Sequence, residues 1–74
     1  MRFSTWLWEQ SDAPGLLQDI SKICYSDVNN GCADAKFTAQ QWIAHFDEKH
    51  PDKKDILTEM VFRAYIEYLK EVRK

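Results

Sequence analysis

Phe37-Thr38-Ala39-Gln40-Gln41-Trp42 carries two helix-start signals that agree on one boundary. The Thr38 hydroxyl can accept from the amide three residues on, where Gln41 can reach back to the Thr38 amide; this reciprocal pair is a capping box. Phe37, just before the cap, and Trp42, at the fourth helical position, form a hydrophobic staple. Trp42, Ile43 and Phe46 continue as an apolar face, and Pro51 ends the run by about Lys49 because proline forces its predecessor out of the α region. The expected helix covers 38–49.

Working toward the N-terminus, Asn29-Asn30-Gly31 is a strong helix stop, since both residue types tolerate left-handed backbone. Before it, Leu16, Leu17, Ile20, Ile23, Cys24 and Val28 recur at spacings of three and four. They predict a helix over 14–27, with Pro14 at its first position, where a missing N–H has no helical partner anyway. Phe3, Trp6 and Leu7 share one face of a short helix over 4–10, begun by Ser4 as N-cap. Toward the C-terminus, Asp52 is the expected cap of a helix over 52–73, with Asp55 in its first turn and Lys70, Arg73 and Lys74 at its end. Ile56, Leu57, Met60, Val61, Ala64, Tyr65, Tyr68, Leu69 and Val72 give that helix a stripe wide enough to predict burial along most of its length.

With 74 residues and two each of glycine and proline, the chain has room for one domain of helices joined by short loops. The expected architecture is an all-α, compact bundle of four principal helices over residues 1–74. Its expected core is Phe3, Trp6, Leu7, Ile20, Trp42, Phe46, Val61 and Tyr65. A net charge of −2 argues against a dedicated nucleic-acid binder, which usually carries a basic balance. The sequence has neither an apolar run of bilayer length nor a signal-peptide pattern, so the expected location is cytoplasmic and no membrane partner is predicted. In a reducing cytoplasm Cys24 and Cys32 are thiols.

Phe3-x-x-Trp6-Leu7, Leu17-x-Asp19-Ile20, Trp42-x-x-x-Phe46 and Ala64-Tyr65-x-x-Tyr68 together resemble the YozE-like family of short bacterial proteins. The loop from Asn29 to Lys36 departs from the family's pattern, which has a Phe-Pro-containing segment there. The resemblance implies a fold similar to the sterile-alpha-motif (SAM) domain. It implies no catalytic residue, because SAM-like folds serve protein or nucleic-acid binding.

Candidate chemistry is sparse. Cys32, His45 and His50 have the spacing of the second half of a Cys2His2 zinc finger. The first half fails, because seven residues separate Cys24 from Cys32 and Cys24 lies on the apolar stripe. His45 and His50 diverge by about 140° on an ideal helix and meet only if its end unwinds. No metal site and no cofactor is therefore expected. A Cys32–histidine nucleophile pair has no orienting third group, and the sequence has no phosphate loop and no HExxH, so the expectation is a protein that is not an enzyme.

Trp8 points away from the Phe3 face, and Tyr25 sits beside the stripe of the second helix. These two are the candidate partner-binding residues, since tryptophan and tyrosine dominate interface hot spots. The competing reading of Trp8 packs it under the C-terminal end of the fourth helix. Lys49, Lys53 and Lys54, with His50, form a basic junction between the third and fourth helices that could meet phosphates. Asp47, Glu48, Asp52 and Asp55 interleave with it. The sequence thus points first to a protein-docking module, second to a nucleic-acid-binding accessory protein using that junction, and third to self-association.

Overall fold

The computed structural model describes residues 1–73, so Lys74 lies outside the described residues. Four α-helices follow one another: α1 Phe3–Glu9, α2 Leu16–Asn29, α3 Ala39–Lys49 and α4 Lys54–Val72. A 3-10 turn, Gln10–Asp12, extends α1. Among the described residues there is no strand, and the architecture is the expected all-α bundle. α4 packs chiefly against α3 and α2 and also reaches α1. The molecule measures 35 × 22 × 21 Å.

The boundary at Thr38 forms as its chemistry requires. The Gln41 amide donates to Thr38 Oγ1 at 3.2 Å, and the Thr38 amide donates to Gln41 Oε1 at 2.9 Å. The staple closes with the Phe37 and Trp42 rings 5.1 Å apart, edge to face. α2 ends in a Schellman motif: Gly31 takes φ +76°, its amide bonds the Val28 carbonyl, and the Cys32 amide bonds the Asp27 carbonyl, both at 3.0 Å.

Three helix starts differ from the sequence expectation. α1 begins at Phe3 after Arg2, with no side-chain cap, and Ser4 is buried within its first turn. α2 begins at Leu16 and not Pro14, because Gly15 adopts φ +77°, ψ −139°, which no helical residue can take. α4 begins at Lys54 and not Asp52. Pro51 and Asp52 occupy the centre of a turn closed by the Lys53 amide on the His50 carbonyl at 3.0 Å, a position proline's fixed φ favours. Asp52 therefore does not cap, and Lys53 is the N-cap without a side-chain bond.

The core unites Phe3, Trp6, Leu7, Ile20, Cys24, Ala39, Trp42, Phe46, Leu57, Val61 and Ala64. Each fully buried aromatic removes roughly 150–250 Å² from water, about 4–6 kcal/mol of gross apolar transfer before entropy is charged. Polar threads fix the layers: Ser21 Oγ donates to the Leu7 carbonyl at 2.9 Å, and the Tyr68 hydroxyl donates to the Met1 carbonyl. Tyr65 leaves the expected core, with 37% of its surface exposed. The α4 stripe is likewise not buried along most of its length: Leu57, Val61 and Ala64 are buried but Ile56 and Val72 face outward, as do Phe62 and Ile66, which lie outside the stripe. Full burial is confined to one row at spacings of four and three, with Met60 and Tyr68 half-buried beside it.

No helix of the described residues is long and apolar enough to cross a membrane.

Candidate functional site

Trp8 and Tyr25 come together as the walls of one groove. Their rings stand edge to face at 6.3 Å, and Trp8 makes the same kind of contact with Trp42 at 6.3 Å. Trp8 Nε1 donates to the Ala35 carbonyl at 3.2 Å, which pins the indole to the loop between α2 and α3. Trp8 is thus half-buried against α2, α3 and that loop, and not under the end of α4. Tyr25 is 59% exposed. The groove beside them has a volume of about 790 Å³ and continues along Lys22, Ser26 and Asn29 of α2. Aromatic rings line one part, and amide, hydroxyl and ammonium groups line the rest.

The basic junction is largely neutralised. Lys54 Nζ lies 3.5 Å from Asp47, and Lys49 Nζ lies 3.9 Å from Glu48. Lys53 is exposed at the α4 N-cap. His50 has left the group, because its ring turns inward.

That inward turn builds a second site. α3 ends at Lys49, and His50, ahead of Pro51, adopts φ −131°, ψ 59°. The unwound end swings its imidazole back toward His45, the condition under which these two histidines can meet. Both converge on Asp27 of α2: Nε2 of His45 lies 2.7 Å, and Nε2 of His50 3.0 Å, from the same oxygen, Oδ2. His45 and Asp27 are buried and His50 is half-buried. His45 also sits within a ring of Phe37, Trp42 and Phe46.

Burial pushes the Asp27 carboxyl up. Hydrogen bonds from His45 and His50, aided by their charge, outweigh it and hold the carboxyl below its ordinary range. An ionised carboxylate only accepts, so each imidazole donates an Nε2–H to it.

Of the zinc-finger quartet, the structure joins His45 and His50 but neither cysteine. Cys24 is buried one turn before Asp27, and Cys32 is exposed beyond the end of α2. Burial first, and the Asp27 charge second, push the Cys24 thiol far above its ordinary value, so it stays protonated.

Asp27 is absent from the candidates read from sequence, although a signal was present. An acid in the last turn of a helix opposes the macrodipole, and α2 has no basic residue there to offset it. Such a local conflict implies a tertiary partner.

No family model matches the chain, and no curated protein or solved structure matches it either.

Proposed function

We propose that the protein is a non-enzymatic binding module that docks a protein partner at the Trp8–Tyr25 groove. The observation that carries this reading is the pairing itself. Two aromatic residues from separate helices line one groove, one pinned by a hydrogen bond and the other 59% exposed. Large, rigid aromatic surface with few rotors left to freeze is the composition of interface hot spots. The resemblance to the YozE-like family and its SAM-like fold supports the same class of role. The proposed setting is the cytoplasm, where the unpaired thiols Cys24 and Cys32 persist.

Affinity capture with cross-linking mass spectrometry tests the reading, and Tyr25→Ala is the informative variant. Trp8→Ala would also strip a contact from buried Trp42, whereas Tyr25 is exposed enough to lose without unfolding. The expected result is one enriched protein, cross-linked near residues 22–29, that is lost with Tyr25→Ala and kept with Phe62→Ala on the exposed side of α4. Retention by Tyr25→Ala, or equal loss with Phe62→Ala, overturns the groove as the docking site. Capture of nucleic acid that falls steeply with salt and is abolished by Lys53→Glu would transfer the role to the basic junction.

A further inference from the structure

We propose that Asp27, His45 and His50 bind a divalent transition-metal ion, with zinc the best match. The three donor atoms, two imidazole nitrogens and one carboxylate oxygen, all lie within 4.8 Å of one another. They come from independent places in the fold: the Schellman-locked end of α2, the buried face of α3, and the unwound residue after α3. The arrangement therefore does not rest on helical neighbours meeting by default. Imidazole with a single carboxylate suits zinc and its late first-row neighbours, while magnesium and calcium require a shell of oxygens.

The two nitrogen–oxygen spacings are close to what coordination needs, while the two Nε2 atoms, within 4.8 Å of each other, settle to the same separation as the ion binds. With zinc–ligand bonds of about 2.0–2.1 Å, tetrahedral neighbours stand about 3.3 Å apart. The two nitrogen–oxygen distances of 2.7 and 3.0 Å need open by only a few tenths of an ångström. The ion takes the place of the two Nε2 protons, each neutral ring carrying its proton on Nδ1 instead. Its positive charge faces the Asp27 carboxylate oxygen on which both imidazoles already converge. The His50 side chain is 35% exposed, against 5% for His45 and 12% for Asp27. A fourth ligand therefore approaches from the His50 side, where water has access, and three protein ligands plus solvent is an open coordination sphere. The proposal concerns a different set of atoms from the Trp8–Tyr25 groove and stands or falls without it.

The test uses the full chain after dialysis against a chelator, titrated with zinc chloride by calorimetry and with cobalt(II) by visible absorption. The expected result is saturable binding of one equivalent. Cobalt should give d–d bands without a thiolate charge-transfer band, and should quench tryptophan emission, because the Trp42 ring is 5.5 Å from His45. His50→Ala, at the least buried ligand, should keep the helical circular-dichroism spectrum and weaken binding by about tenfold or more. Cys32→Ser should leave binding unchanged. The proposal is overturned by an absence of saturable binding in the native chain, by a thiolate band, by unchanged affinity in His50→Ala, or by loss of binding in Cys32→Ser. Absent binding, or unchanged affinity in His50→Ala, leaves the cluster as a hydrogen-bonded brace; a thiolate band, or loss of binding in Cys32→Ser, assigns the ion to a cysteine site instead of this triad.

Discussion

At the residue scale the two cysteines show how strongly position sets chemistry. Cys24 faces the core on α2, with burial and the Asp27 charge both disfavouring its thiolate. Cys32 lies three residues past the end of α2, exposed, with its sulfur near the Asn30 carbonyl. Because the thiolate is the reactive species, a disulfide-exchange reagent at mildly alkaline pH should consume one thiol quickly in the folded protein. The second should react only as the protein unfolds. Cys32→Ser should remove the fast phase, and Cys24→Ser should leave it intact. Two thiols reacting together before denaturant is added would contradict the buried placement of Cys24. The same scale explains why the Asp27 cluster was hard to read. His45 and His50 are 18 and 23 residues from Asp27. Their meeting depends on one irregular backbone conformation at His50, which spacing rules built on an ideal helix exclude.

At the scale of elements, local signals were legible where the chain decides its own conformation, and not where a neighbour decides it. The Thr38–Gln41 box and the Phe37–Trp42 staple involve residues within five positions of each other, so sequence order alone brings them together. The starts of α2 and α4 moved by two residues because a glycine and a proline turn take up the positions that a capping rule would fill. The α3 cap is therefore the element boundary with a measurable energy of its own. Thr38→Ala removes the acceptor for the Gln41 amide and should cost about 1 kcal/mol. Thermal unfolding should show it as a fall of about 4–8 °C for a domain of this size. Thr38→Ser retains the oxygen and should recover most of the loss. If alanine and serine behave alike, the capping bond does not contribute to stability, and packing at Phe37 sets the start of α3 unaided.

At the scale of the whole molecule, α4 separates what periodicity reveals from what it hides. Its apolar residues form a stripe, and the stripe correctly predicts a helix. Which part of the stripe is buried depends on how much surface α1, α2 and α3 can offer. Leu57, Val61 and Ala64 meet them, while Ile56, Tyr65 and Val72 of the same stripe are exposed; Phe62, which the stripe never included, is 55% exposed on the open side. A phenylalanine on α3 and one on α4 should thus respond very differently to the same truncation. Phe46 is fully enclosed, stacked on Trp42 at 5.5 Å and in contact with His45 and His50. Phe46→Ala should cost about 3–5 kcal/mol. A chain of this length has only about 4–11 kcal/mol in all. That loss should lower the melting temperature by roughly 12–40 °C and should also loosen the Asp27–His45–His50 cluster, because Phe46 packs against both of its histidines. Phe62→Ala removes a ring that the rest of the chain leaves mostly in water. It should shift stability by no more than about 0.5 kcal/mol, measured by denaturant titration at low protein concentration. If Phe62→Ala proved as damaging as Phe46→Ala under those conditions, the open side of α4 would have to be covered in the folded molecule, and the division of the helix into a buried and an exposed side would be wrong.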